Sequence, residues 1–412
     1  STWSVPHRDH RESGVTEVNL HPRVLHVCQR LPTPVFGGMD LRVKEQILAM
    51  AGMWPTGVFA LSGSGAAIDD RLRVWRSGSD PAPSRAVPAS VLATELAEGA
   101  SPYSSRFSSL TATELRTTID AFEPDVVILS GLEVTPYLDT ARGAGVRRII
   151  LDLHESTTRT IPSIAAIEQN RGRALFRRHV GAAMQSVEAL VVTQVEQVWL
   201  ASEVERHHFR ASYPLANDSC LVPNTVDVDG TRWVPVSDPH RVASSIVYPA
   251  SFGYEPNLDA ARFLVDEVMP LLPEMTLALV GSSIPAWMRN LDHPRIAVLG
   301  PVPDMTPHLA RSGSMPVPLR AGGGTRLKVL EALAVGTPVI STSLGVEGLG
   351  LGQGVHFLLA ETAEEFAAGI ERVRDDTQLA HQMSVAGRGL VETGFSRTAL
   401  MRALTAALAG AT

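Results

Sequence analysis

Apolar residues along this chain gather in short continuous runs rather than in alternation. Val24–Val27, Val126–Leu129, Ile149–Leu153, Leu190–Val192, Ile246–Tyr248, Leu277–Val280, Ile296–Leu299, Val317–Leu319 and Val339–Ile340 are such runs, most of them rich in β-branched residues. A strand wet on one face alternates; a strand apolar throughout is covered on both faces, as in a parallel sheet. Between the runs lie stretches with helical spacing: Asp40–Met53, Thr113–Phe122, Ile164–Ser186, Leu258–Leu271, Arg326–Ala334 and Glu364–Val373. Strand–helix alternation on this scale predicts right-handed βαβ units and doubly wound α/β sheets.

The series breaks once. Val222-Pro-Asn-Thr-Val-Asp-Val-Asp-Gly230 closes one set of units, a loop rich in Pro and Asp follows, and a new strand begins near Ser244. The expected organisation is a flexible leader over 1–19, a first Rossmann-like domain over 20–230 and a second over 231–395. A last helix over 396–412 could cross back to the first domain. The segment 79–105, with Pro81, Pro83 and Pro88, reads as an irregular excursion. A length of 412 residues suits two domains, each of about 200. Two such domains leave a cleft between the carboxyl ends of their strands, where helix N-termini converge and ligands bind.

Composition narrows the classes. Hydrophobic residues are 44% and charged residues 19%, which supports packed cores and excludes a disordered chain. There is no apolar run long enough to span a bilayer, and the leader lacks the apolar centre of a signal peptide, so a cytoplasmic location is expected. The net charge of −7 is spread along the chain, with no basic footprint for nucleic acid. Cys28 and Cys220 are too few for a disulfide framework or a zinc site. Arg171, Arg173, Arg177 and Arg178 form a basic stretch; a solvated helix face is preferred over a helix lying on a membrane. Of 36 basic residues only Lys44 and Lys328 are lysine, so a lysine here is a hint that a compact ammonium is wanted, with chance retention the alternative and Lys44 read as a surface residue. The bias towards arginine and alanine points to a GC-rich bacterial genome.

The most informative string runs from Pro318 to Ser341. A strand ends at about Leu319, Gly322, Gly323 and Gly324 form a loop, Thr325 is a good helix N-cap, and Gly336 ends the helix before Thr337-Pro-Val-Ile340. The first turn of that helix offers free backbone N–H groups and the positive end of its dipole, an anion site that glycine lets a ligand approach closely. Arg326 and Lys328 add two positive charges. Lys328 and Glu331 are three apart and share a face, pairing a cation for phosphate with a carboxylate that can accept two hydroxyl hydrogens, as a ribose presents. On the other domain, Pro34-Val-Phe-Gly-Gly-Met-Asp40 opens a helix after the first strand, and His154 follows the strand Ile149–Leu153 between two carboxylates. Asp152 or Glu155 could orient its ring. No DxD pair stands at a strand end and no His/Cys spacing suggests zinc, so no metal is expected.

Taken in order, these motifs resemble the retaining GT-B glycosyltransferases of the glycosyltransferase group one family, in a form with a Gly322-Gly-Gly-Thr-Arg-Leu-Lys328 donor loop. Gly37-Gly38, Val222-Pro-Asn-Thr-Val-Asp227, Pro256-Asn-Leu-Asp-Ala260, Gly300-Pro-Val-Pro-Asp304 and Ser343-Leu-Gly-Val-Glu-Gly348 carry the resemblance across nearly the whole chain. It implies two doubly wound Rossmann-like domains facing each other across a cleft, a nucleotide-diphosphate sugar as donor, and a small-molecule or glycan acceptor. Glu331 would bind the donor ribose. Gly323, Gly324, Thr325 and Arg326 would lie against the diphosphate and the transferred sugar. The Val302 backbone would read the base, Gly37 and Gly38 would approach the diphosphate from the opposite domain, and His154 would touch the sugar. Two positions depart from the family pattern. Gly323 stands where the family usually has a glutamate, and Ala250-Ser-Phe-Gly-Tyr-Glu-Pro256 lacks the usual Arg and Lys. Arg326 and Lys328 are expected to replace those charges. An NDP-sugar epimerase or phosphorylase on the same fold, and a non-catalytic nucleotide-sugar-binding paralogue, remain alternatives.

Overall fold

The computed structural model describes residues 21–409 apart from 34, 36, 63–67, 79–93, 95–102, 104–105, 169 and 325. The leader, nearly all of the 79–105 excursion and Thr325 therefore lie outside the described residues. Two parallel sheets make up the molecule. The first contains β1 (Val24–Arg30), β2 (Thr56–Ser62), β3 (Arg73–Arg76), β4 (Val126–Ser130), β5 (Arg148–Asp152), β6 (Gln197–Leu200) and β7 (Asp218–Leu221), in the order β3-β2-β1-β4-β5-β6-β7. The second contains β8 (Val242–Ser251), β9 (Thr276–Ser282), β10 (Ile296–Leu299), β11 (Ser312–Val317), β12 (Val339–Ser341) and β13 (Phe357–Leu359), in the order β10-β9-β8-β11-β12-β13. Each sheet reverses direction beside its first strand, at β1/β4 and at β8/β11. Such switch points open a crevice at the carboxyl ends of the strands.

The strands are buried on both faces as their sequences predict. Val24, Leu25 and Val27 of β1 and Val127, Ile128 and Leu129 of β4 are fully covered. In the second domain one core runs from Ile246 and Val247 through Met315 and Val317 to Leu330, Leu333 and Ile340. The last helix, Arg397–Ala409, packs on the first sheet: Leu400, Leu404, Ala407 and Leu408 join Val24, Met50, Val126, Ile150 and Trp199. Arg148 donates to the carbonyls of Leu408 and Ala407 at the C-terminal end of that helix, and Arg397 pairs with the buried Glu45 at 2.8 Å.

The sequence reading did not pick out β2, β3, β6, β7 or β13, and three of the elements it did name differ. Leu190–Val192 is not a strand: the helix Arg171–Val191 runs through it, with Val180, Met184, Val187 and Val191 at spacings of three and four on one face. The single helix expected over 164–186 is two helices, Thr157–Ile167 and Arg171–Val191, broken at Glu168 to Asn170, where the Asn170 side chain caps the second. In the third case, β11 spans Ser312–Val317 and overlaps the expected run Val317–Leu319 only at Val317.

Candidate active site

The loop after β11 uses its three glycines for different reasons. Gly322 and Gly324 have φ of +105° and +72°, a region that strongly favours glycine. Gly323 needs space instead: a Cβ there would collide with Thr160 Oγ1 and come within 3.4 Å of Glu155 Oε2. Arg326 occupies the cap position of the helix Leu327–Val335, the place where Thr325 was expected. Its guanidinium folds over the loop and donates to the carbonyls of Gly322 (3.1 Å), Gly323 and Gly324 (2.6 Å). Arg326 is buried, and its Nε has no hydrogen-bond partner. The helix ends on Gly336 at φ +88°, as its sequence predicts.

Lys328 and Glu331 rise from this helix into a half-buried zone at the carboxyl end of the second sheet. Lys328 donates to Asn257 Oδ1 at 2.9 Å, with its ammonium 4.3 Å from the centre of the Tyr248 ring. Burial, reinforced by the nearby Arg326 charge, pulls the ammonium down to about 7 against the opposing pull of Glu331. Burial pushes Glu331 up to about 7, opposed by Lys328 and helped by Asp304. A cation and a carboxylate perturbed by burial at a sheet-edge crevice are candidates for a functional site. Val302, after β10, is half-buried against the second core.

The first domain supplies the opposite wall. Asp152, the last residue of β5, is fully buried and receives Arg42 Nε at 3.1 Å to each oxygen, with Arg42 Nη1 reaching Val222 O at 2.9 Å and Asn224 Oδ1 at 2.6 Å. Burial would raise this carboxyl, but Arg42 and His154 outweigh it and hold it below the usual carboxylate range. His154 Nε2 lies 3.5 Å from Asp152 Oδ2, and its ring neighbours Gly131, whose φ of +87° favours glycine and where a Cβ would collide with Glu133 Oε2. Of the two carboxylates that flank His154 in sequence, Asp152 is the one near its ring, while Glu155 faces the glycine loop. Gly37 caps the helix Gly38–Ala51 in extended conformation, and a Cβ at Gly38 would lie 3.2 Å from Leu327 Cδ1 of the second domain.

The two walls meet. Gly322 N donates to Ser163 Oγ at 2.9 Å and Gly324 N to Glu205 Oε1 at 3.4 Å. Arg159 bridges Glu205 at 2.9 Å and Glu347 of the second domain, and Arg177 reaches Glu255 at 3.1 Å. His154 and the glycine loop are thus brought together, with His154 O 3.6 Å from the Cβ position of Gly324. Lys328 and Glu331 lie behind the loop in the second domain. Arg42, Thr160 and Glu205 were not singled out from the sequence. Glu205 sits in Glu203-Val-Glu-Arg-His-His208, which reads as a solvated helix face. Asn257 lies inside the Pro256–Ala260 motif, so a signal for it existed.

Two doubly wound domains, linked between β7 and β8 and facing each other across a crevice, define the GT-B fold. Residues 243–376, a third of the chain, match the family model described as glycosyl transferases group 1. Among solved structures, sucrose-phosphate synthase from Thermosynechococcus elongatus is similar over 93% of this chain and 97% of its own, at 16% identity and a TM-score of 0.71. HepE from Anabaena, solved with UDP and glucose, is similar over 93% and 98%, at 15% identity and a TM-score of 0.65. A variant of S. aureus TarM, solved with fondaparinux, α-GlcNAc-glycerol and UDP, is similar over 94% and 99%, at 9% identity and a TM-score of 0.68. No curated protein matches the sequence. Among the described residues no helix is long and apolar enough to cross a membrane.

Proposed function

We propose that this chain transfers a glycosyl unit from a nucleoside diphosphate sugar to an acceptor hydroxyl, with retention at the anomeric carbon and without a divalent metal. The observation that carries this reading is the combination of the glycine loop 322–324 with the poised Lys328 and Glu331, set opposite His154. It lies within the segment that matches group 1 glycosyl transferases. Solved structures of similar fold hold UDP, which makes UDP-sugars the first donors to test. Glu331 accepts the ribose hydroxyls, Lys328 faces the diphosphate, and Val302 lines the base. In the reaction the C1–O bond to the diphosphate breaks while a bond to the acceptor oxygen forms on the same face. The acceptor proton passes to the leaving diphosphate oxygen, so no protein nucleophile is required. The chain contributes alignment and charge stabilisation, and contact between the domains excludes water.

The test is a thermal-stability screen of UDP, GDP and dTDP with their glucose, mannose and N-acetylglucosamine derivatives, followed by nucleotide release from the donor that binds. A bound ligand raises stability by RT ln(1 + [L]/Kd), so a ligand at about 100 Kd adds about 2.7 kcal/mol. The expected result is stabilisation by one nucleotide class and release of its diphosphate. Stabilisation by none would overturn the reading, and an isomerised donor without nucleotide release would indicate an epimerase.

A further inference from the structure

The glycine loop of the second domain has acidic groups at its surface, and they come from the first domain. Glu155 Oε2 lies 3.4 Å from where a Cβ of Gly323 would be and 3.6 Å from that of Gly324. Glu205 Oε1 receives Gly324 N at 3.4 Å and Arg159 Nη1 at 2.9 Å, while its other oxygen is buried and has no hydrogen-bond partner. Arg326 Nε is likewise buried without a partner. Buried polar atoms ordinarily find partners, and leaving one unpaired costs free energy. Such atoms at a cleft are satisfied by what enters it, and a ligand rich in hydroxyls offers both donors and acceptors.

Gly323 cannot supply an acid of its own, because Thr160 occupies the volume a side chain would need. Burial pushes Glu155 up and the nearby Glu205 carboxylate adds to that push, while Arg326 works against it, so its carboxyl stands in an environment where its hydrogen bonds are strong. Resting on the glycosyltransferase reading above, we propose that Glu155, supported by Glu205, is the carboxylate that holds hydroxyl groups of the transferred sugar. The nucleotide is then held by one domain and sugar hydroxyls by the other. Sugar selectivity therefore depends on the two domains meeting across the loop, and the bound nucleotide alone does not engage it.

The experiment compares wild type, Glu155→Gln and Glu155→Ala. For each, binding of the nucleoside diphosphate alone and of its sugar is measured by titration calorimetry, together with kcat/KM for donor consumption. The expected result is unchanged affinity for the diphosphate and an approximately 10- to 100-fold loss of kcat/KM for the sugar donor, the scale for losing hydrogen bonds to a charged group. Glu155→Gln should retain more activity than Glu155→Ala and should discriminate less between hexoses epimeric at one carbon. A donor lacking the hydroxyl that Glu155 holds should show little further loss in the variants, since the two deletions remove one interaction. If both variants bind the diphosphate normally and keep wild-type turnover and sugar preference, the assignment of Glu155 is wrong while the transferase reading stands. If wild type binds no nucleoside diphosphate, both fall. Loss of diphosphate binding in Glu155→Gln would place Glu155 in the architecture of the loop and likewise overturn its role at the sugar.

Discussion

Arg42 and Asp152 form a buried ion pair in the first domain, with the guanidinium Nε 3.1 Å from each carboxylate oxygen. Arg42 is 2% exposed and Asp152 not at all. The other arms of Arg42 reach Val222 and Asn224, so one side chain ties the end of β5 to the junction between the domains. Removing one partner of such a pair strands a charge without water. We expect Arg42→Ala to cost about 3–5 kcal/mol of stability, read by urea denaturation at pH 7. Asp152 is held below its usual range, so its contribution is complete above the unfolded value of about 3.9 and is lost as pH falls through the folded one. The stability gap between wild type and Asp152→Asn should narrow below about pH 4. A gap that stays constant down to acid unfolding would show that the pair does not contribute in this way.

His154 stands where this ion pair, Gly131 and the glycine loop converge. It belongs to the domain opposite Lys328 and Glu331, and its expected role is with the sugar during transfer. His154→Ala should lower kcat by about 10²-fold or more while leaving affinity for the nucleoside diphosphate nearly intact, the pattern of an interaction made mainly in the transition state. Wild-type turnover in a folded variant would return His154 to a structural role.

How far the site was legible follows from where its parts lie in the chain. Gly322 to Glu331 are contiguous, and their spacing sets an anion site and a shared helix face before any folding is considered. The strands that were legible are apolar throughout, such as Val126 to Leu129. β6 was not, because it opens with Gln197, whose buried amide is satisfied by Asp218 and by the Ala407 carbonyl. These are tertiary partners that no local pattern reveals. Nor were Thr160 and Glu205, which reach the loop from more than 100 residues away. Leu190 to Val192 misled because a short apolar run at a helix end has the composition of a strand. The absence of a glutamate at Gly323 was visible, but its physical reason, the volume taken by Thr160, emerges only when the two domains are seen together.

If Lys328 and Glu331 hold the donor as proposed, binding should depend on pH in both directions. Below about 7 the Glu331 carboxylate takes up a proton and loses acceptors for the ribose hydroxyls. Above about 7 the Lys328 ammonium loses its charge and its attraction for the diphosphate. A bound diphosphate favours the ammonium, so binding draws in a proton on the alkaline side. Affinity for the nucleoside diphosphate should therefore peak near neutrality, with the alkaline fall absent in Lys328→Ala and the acid fall absent in Glu331→Gln. Calorimetry in buffers of different ionisation enthalpy would detect the proton uptake. At pH 7, Glu331→Ala should weaken nucleotide binding by about 1–3 kcal/mol. A flat profile between pH 6 and 9 would remove both residues from the donor site.

The last prediction concerns what balances the charge of the departing diphosphate. The stretch after β8 offers Phe252, Gly253, Tyr254 and Glu255, with no cation. Arg320 is turned away, exposed and paired with Asp259 at 2.6 Å. Arg326 and Lys328 remain, and they differ in how they are held. Two nitrogens of Arg326 bind the loop carbonyls, which fixes the amides of the loop and leaves its Nε without a partner. Lys328 rests on the neutral Asn257 and the Tyr248 ring, with no carboxylate of the described residues within ion-pair distance, so an arriving phosphate competes with no ion pair among them. A preorganised donor aimed at developing charge is worth about 10²–10³ in kcat. Arg326→Ala and Lys328→Ala should each lower kcat/KM by at least about 10²-fold. Arg326→Lys should recover little, because a point charge cannot hold three carbonyls in a planar fork. If these two cations and the helix dipole suffice, turnover persists in excess EDTA. Loss of activity with EDTA that Mg²⁺ or Mn²⁺ restores would overturn the metal-free account. Near wild-type activity in both alanine variants would move the charge source to Arg159, which faces the same loop from the first domain.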